Sequence, residues 1–128
     1  MLKLSLDGVT IKGEKNMELN LKISGKVQIE RIVTILELGM LTALEEGVVS
    51  LEEIEGYLFN PFTVDILEDI TLNNEVIEII KSGCELEDVE SLIPQKLKST
   101  ISGLKEETIN TLRQLPAPNI PTEKLFER

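Results

Sequence analysis

The sequence predicts an α+β fold, in which an N-terminal three-stranded antiparallel meander packs on a mostly helical domain of about five helices. Two observations carry this prediction. Apolar and polar residues alternate over residues 1–23, which is typical of strands. After Ser24-Gly25 the apolar residues recur every three to four positions, which is typical of helices. Because no linker or internal repeat divides the chain, we expect a single domain over residues 1–128.

The meander prediction depends on its turns. Asp7-Gly8 stands between alternating apolar residues, and this dipeptide favours a two-residue hairpin loop. A three-residue loop at residues 14–16 then keeps the apolar face continuous into the third strand, whereas a two-residue loop would turn it to water. We therefore expect Leu19 to pair with Ile11, Leu21 to pair with Val9, and this face to contact the first helix.

Caps and breakers divide the helical part, residues 26–115. The first helix should end at Gly47, where glycine favours a left-handed cap. Ser50 and Glu53 form a capping box for the second helix, and Asn60-Pro61 ends it. Residues 86–93 and 95–115 are predicted to form two further helices. The predicted buried face of the first helix consists of Ile29, Ile32, Val33, Leu36, Met40, Ala43 and Leu44, and it is widened by Ile35, Leu38 and Leu41.

Prolines follow the last predicted helix. Pro116, Pro118 and Pro121 cannot continue a helix, so residues 116–128 are predicted to form an extended, Pro-rich tail. Leu125-Phe126 is the hydrophobic anchor that this tail offers.

Negative charge is concentrated in one block of the sequence. Residues 45–90 hold fourteen carboxylates and a single base, Lys81, and the whole chain has a net charge of −10. Such a charge repels nucleic acid and anionic membranes, so we expect neither as a partner and expect a basic protein instead. No apolar stretch reaches the roughly 20 residues that cross a bilayer, and no signal peptide is present, so we expect a cytoplasmic protein.

Residues that carry chemistry are few. The chain has no histidine, which is the commonest general base and transition-metal ligand. It also lacks a glycine-rich phosphate-binding loop. Cys84 has no partner for a disulfide and is followed by acidic residues, which disfavour a reactive thiolate. We therefore expect no enzyme, no cofactor and no metal site.

The candidate site residues are carboxylates. The densest group is Glu85, Glu87, Asp88 and Glu90, and Glu52 and Glu55 form a second acidic face. We predict that these six residues bind a partner. The alternative reading is a solvated helix N-terminus, where the helix dipole favours acids. Calcium binding is a third reading, although the spacing lacks the features of an EF-hand.

The segment from Gly83 to Pro94 (GCELEDVESLIP) resembles a stretch found in small, acidic, uncharacterised bacterial proteins, some of which are associated with toxin–immunity loci. The resemblance covers about a dozen residues and extends back to LEDI at residues 67–70. It carries no catalytic residue. It implies an immunity role for the chain.

Two functions of different classes remain open. The first is a non-catalytic acidic protein-binding module, such as an immunity protein or antitoxin that occludes a basic toxin. The alternative is a structural or housekeeping domain that is acidic for solubility and forms a homodimer through its sheet. A charge-dependent interaction with a basic protein distinguishes the first from the second.

Overall fold

The computed structural model describes residues 17–128, and these residues belong to two compact units. The described part of the first unit consists of residues 17–23 and Pro121–Arg128. Its strands are β1 (Asn20–Leu21) and β2 (Phe126–Glu127), which pair antiparallel. The second unit is Ser24–Ile120. The prediction of a single domain stays a prediction.

The second unit is helical. A 3₁₀ turn at Pro94–Lys96 precedes its last helix. The described residues of this unit form six α-helices, which are α1 (Lys26–Glu45), α2 (Leu51–Tyr57), α3 (Pro61–Asp69), α4 (Asn74–Cys84), α5 (Leu86–Leu92) and α6 (Leu97–Gln114).

The predicted fold class is wrong. The described chain is mostly helical, with six α-helices instead of about five, and its sheet has two strands instead of a three-stranded meander. The first two predicted strands, within residues 1–16, lie outside the described residues. Leu21 pairs with Phe126, and Lys22 N–H donates to the carbonyl oxygen of Leu125 at 2.8 Å. The proline-rich tail is extended, so it offers a strand edge, and the aliphatic–aromatic pair across the strands favours this pairing.

Side-chain caps begin three of the helices. Ser50 Oγ accepts a hydrogen bond from the backbone N–H of Glu53 at 3.0 Å, as the capping box predicts. Glu53 does not complete the box, because its Oε2 accepts from the Tyr57 hydroxyl at 2.9 Å. Asn60 caps α3 and Asn73 caps α4 through their side-chain oxygens. These caps account for the short connections between α2, α3 and α4.

Helices α1 and α6 run antiparallel and share a polar contact near each end. The Glu45 carboxylate accepts hydrogen bonds from Ser102 Oγ at 2.6 Å and from Lys105 Nζ at 2.8 Å. Near the other end, Arg31 Nη1 donates to the carbonyl oxygen of Pro116 at 3.2 Å. The hydrogen bonds from Lys105 and Ser102 lower the pKa of Glu45. The two contacts determine which residues of the helices lie opposite each other.

Helix α4 lies at the centre of the hydrophobic core. It packs against α1, α3, α5 and α6. Its Val76, Ile79 and Ile80 are at most 2 % exposed. The core also contains Val33, Leu41, Leu51, Ile54, Leu58, Phe59, Leu67, Leu72, Ile77, Leu86, Ile101, Leu104 and Leu115. This aliphatic core supplies a rigid support for α2 and α5, which carry the candidate site.

The buried face of α1 differs from the predicted one. Val33 and Leu41 are buried as expected for an inward-facing apolar pair, but Ile35 and Leu36 are 46 % and 39 % exposed. The buried side of α1 instead contains Glu37, which is fully buried. Apolar residues surround α1 almost completely, so their spacing does not define one face.

Two buried glutamates of α1 have different surroundings. Glu30 Oε2 accepts a hydrogen bond from the backbone N–H of Asn73 at 2.6 Å, which joins α1 to the start of α4. Neither carboxyl oxygen of Glu37 has a hydrogen-bond partner among the described residues. Burial raises the pKa of Glu37 to about 9, so this side chain keeps its proton at neutral pH.

Candidate protein-docking surface

Helix α5 carries most of the carboxylates that the sequence predicts to bind a partner. It follows α4 directly, because Glu85 is at once the C-cap of α4 and the N-cap of α5. Leu86 is fully buried and fixes the inward side of α5. Glu87 and Asp88 occupy its first turn, where the helix dipole favours negative charge. The acids of α5 therefore lie on the two flanks of Leu86.

One flank joins α2 to form what we call the carboxylate cluster, which consists of Glu52, Glu55, Glu87 and Glu90. Glu55 lies at its centre. The pKa of Glu55 is raised, first by burial and then by the charges of the other three members. The structure thus brings together two acidic segments that are more than 30 residues apart in the sequence. The charged form of Glu55 is therefore disfavoured at this position.

No base neutralises the cluster within the described part of the chain. The ion pairs of residues 17–128 join Lys81 to Glu68 and Glu78, at 3.3 and 3.4 Å, and Lys105 to Glu45 at 2.8 Å. None of them includes a member of the cluster. The four carboxylates of the cluster therefore form no ion pair within residues 17–128.

The other flank of α5 combines acids with apolar side chains. Glu85, Asp88, Val89, Leu92 and Ile93 line an open hollow of about 230 Å³, which we call the α5 hollow. Leu92 is 78 % exposed and Ile93 is 39 % exposed. The spacing of residues 85, 88, 89 and 92 is that of one helix face, and Glu87 and Glu90 lie away from it.

A second hollow of about 340 Å³ lies between α3 and α4 and shares Glu85 with the α5 hollow. Its wall also contains Pro61, Val64, Asp65, Lys81 and Cys84. The ammonium of Lys81 is paired with two glutamates, so it does not reverse the charge of this hollow. The pKa of the Cys84 thiol is raised by burial and then by Glu55, which agrees with the prediction of an unreactive cysteine.

The six predicted residues lie on two surfaces, but they are divided differently from the two groups that the sequence indicates. Four form the carboxylate cluster, and Glu85 and Asp88 border the hollows. The run of acids at residues 85–90 looks continuous in the sequence. Because successive helical residues point about 100° apart, this run divides between opposite flanks of α5.

Sequence reasoning missed most of the exposed apolar residues near these surfaces. Of the three aromatic residues around Asn60-Pro61, Phe59 is buried, whereas Tyr57 and Phe62 are 66 % and 74 % exposed. Phe62, Ile66 and Ile70 form an exposed stripe on α3. Their spacing of four residues is the signal that could have revealed this stripe.

Within residues 17–128, no group of cysteine and acidic side chains is arranged to hold a metal ion. In the same part of the chain, every helix is too short or too polar to cross a membrane.

The fold and the surface define a small, mostly helical protein in which four clustered carboxylates form no ion pair with a base of residues 17–128. The chain belongs to a family described as protein of unknown function (DUF3969), whose model matches residues 24–127. No curated protein and no solved structure matches it.

Proposed function

We propose that this protein is a non-catalytic binding module that docks a basic protein partner on its acidic surface. The carboxylate cluster is the observation that carries the proposal. The pKa of Glu55 is raised by burial and then by three neighbouring carboxylates, and none of the four forms an ion pair with a base of the described residues. A lysine or arginine from a partner that lies between α2 and α5 would relieve this repulsion and gain charge-assisted hydrogen bonds.

The net charge of −10 supports the same proposal at longer range. Complementary charge accelerates association above the ordinary rate of roughly 10⁵–10⁶ M⁻¹s⁻¹ and loses this effect in salt. The specific form that we favour is a cytoplasmic immunity protein or antitoxin that occludes a basic toxin. Its support is the acidity of the surface, together with the resemblance of residues 83–94 to proteins associated with toxin–immunity loci.

Charge reversal of the cluster tests the proposal. The immobilised full chain and its variant E52K/E55K/E87K/E90K are compared for capture of proteins from an extract of the source cells. A captured protein is then purified, and its association rate is measured at about 50 and about 300 mM salt. We expect a basic protein that binds the wild type, loses this binding to the variant, and associates more slowly in the higher salt.

A matched control reverses exposed acids elsewhere. Glu75→Lys, Glu106→Lys and Glu107→Lys change the charge of α4 and α6 and should preserve most of the binding. The melting temperature of both variants should stay close to that of the wild type, because every reversed acid except the half-buried Glu55 is exposed and exposed charges contribute little to stability. Capture that is indifferent to both salt and reversal of the cluster would contradict the proposal.

The exposed stripe on α3 favours a second candidate, a structural or housekeeping domain that forms a homodimer. Phe62, Ile66 and Ile70 present apolar area that a second copy would bury. Sedimentation equilibrium of the wild type and of Phe62→Ser tests this candidate. A dimer that dissociates in the variant supports it, and a wild type that stays monomeric at high concentration refutes it.

A further inference from the structure

We infer that the two hollows beside Glu85 form a docking groove for a cationic amphipathic helix of a protein partner. This inference rests on the proposed function and adds the chemistry of the partner segment and the place where it lies. It concerns the flank of α5 that faces away from the carboxylate cluster.

The shape of the surface supports a row of side-chain contacts rather than a small-molecule site. The α5 hollow and the hollow between α3 and α4 measure about 230 and 340 Å³, and both are open to solvent. Small-molecule sites are usually enclosed and of about 300–1,000 Å³. Two shallow apolar hollows that share one carboxylate can each accept an apolar side chain from successive turns of a helix bound in a groove.

Apolar side chains supply the anchor positions. Leu92 and Ile93 are exposed at the end of α5, and Val89 lies one turn before Leu92. Pro61 and Val64 supply apolar area on the wall of the other hollow. An occupant with leucine-like side chains on one face would bury these groups, so its affinity should depend on those side chains as well as on charge.

The acidic residues that border the hollows favour a positively charged occupant. Glu85 lies between the hollows, and Asp88 and Asp65 border them, while Lys81 is already paired with two glutamates. A second copy of this chain would place the same carboxylates opposite each other, and a nucleic acid or an anionic lipid surface would be repelled. A helical segment whose lysines or arginines flank its apolar face would pair with the carboxylates and also fill the hollows with its apolar side chains.

A synthetic helix provides the probe. We propose fluorescence anisotropy with an amphipathic Leu/Lys peptide of about 18 residues, and with a peptide in which serine replaces every leucine while the charge is unchanged. The full chain should bind the Leu/Lys peptide at least about tenfold more tightly than the Ser/Lys peptide, because only the former fills the hollows. Amide chemical shifts should change most at Val89, Leu92 and Ile93.

Variants of the full chain locate the binding. Leu92→Ser should weaken binding of the Leu/Lys peptide by roughly tenfold and leave binding of the Ser/Lys peptide unchanged. Asp88→Lys should weaken both. Val48→Ser is the control, since Val48 is 74 % exposed on the loop between α1 and α2. Because Leu92 is also largely exposed, its substitution should not unfold the chain.

The outcomes separate the groove from the proposed function. If Leu92→Ser binds both peptides like the wild type while E87K/E90K loses them, the groove is refuted and docking on the carboxylate cluster is retained. Shift changes that centre on the α3 stripe instead of Leu92 also refute the groove. If the Leu/Lys peptide fails to bind, or binds regardless of all these variants and of salt, the groove and acidic docking on α5 both fail.

Discussion

Replacing Glu37 by glutamine should remove a pH dependence from the stability of this protein. Glu37 is fully buried in α1, and neither of its carboxyl oxygens has a hydrogen-bond partner among the described residues. Burial raises its pKa from the ordinary value of 4.5 to about 9. The folded chain therefore keeps this proton over a range of pH in which the unfolded chain releases it.

The sign and size of the effect follow from this difference. Between about pH 4.5 and pH 9 the folded state binds one more proton than the unfolded state, so the free energy of unfolding falls by about 1.4 kcal/mol per pH unit as the pH rises. The accumulated loss at pH 7 is about 3 kcal/mol. Below pH 4.5 both states hold the proton, and Glu37 contributes no pH dependence.

Urea unfolding followed by far-ultraviolet circular dichroism measures the effect. The chain has no histidine, the side chain that ordinarily titrates between pH 6 and 8, so the slope in this window reports mainly on Glu37. Glu37→Gln has nearly the same shape and no proton to lose. Its stability relative to the wild type should therefore increase by about 3 kcal/mol between pH 4.5 and pH 7.

Glu46→Gln, which removes an exposed carboxyl just after α1, is the control and should keep the wild-type slope between pH 6 and 8. The reasoning is refuted if the wild type shows no loss of stability between pH 6 and 8. It is equally refuted if Glu37→Gln shows the same loss, since another group would then be responsible.

Four further substitutions test the packing and the caps by the same unfolding assay. Gly83→Ala should destabilise the chain by about 1–3 kcal/mol, because a Cβ there would overlap the fully buried ring of Phe59. Gly103→Ala on α6 should instead stabilise the chain by about 0.5–1 kcal/mol, because a Cβ there meets open space and alanine favours the helix. An equal effect of the two alanines would contradict this. Asn60→Ala should cost about 1–2 kcal/mol, since its amide caps α3 and also donates to the last turn of α2 at 2.7 Å. Glu30→Ala should destabilise the chain by about 1.5–3 kcal/mol, because it removes the carboxylate that accepts the hydrogen bond from the backbone N–H of Asn73. A loss under about 0.5 kcal/mol would show that water replaces the carboxylate as acceptor.

Local signals predicted the helices well because their causes are local. The Ser50 cap is present as expected, and Gly47 has the positive φ, 77°, of a left-handed cap. Asn60-Pro61 follows α2, as expected, and Asn60 also caps α3. Ile101, Leu104 and Thr108 are spaced three and four residues apart and form the buried face of α6, since mostly polar residues cover its other sides.

Long-range contacts could not be predicted in the same way. Leu21 pairs with Phe126, which is more than 100 positions away in the sequence. The residues next to either strand give no signal for such a distant pairing. The burial of Glu37 could not be predicted because glutamate is usually charged and lies at the surface. Its side chain can be buried here only in the neutral, protonated form. The candidate site was predicted residue by residue, but its division into two flanks depends on where Leu86 enters the core.

The threonine hydroxyls in the buried faces of α1 and α6 have a consequence for the uniqueness of the native state. Thr34 and Thr108 donate to the carbonyl oxygens of Glu30 and Leu104, each on its own helix. These bonds would survive a slide of one helix along the other by one turn, about 5.4 Å. Such a slide would break the contacts of Glu45 with Ser102 and Lys105 and the contact of Arg31 with Pro116. The polar contacts at the two ends of the helix pair therefore favour the observed alignment over one shifted by a turn.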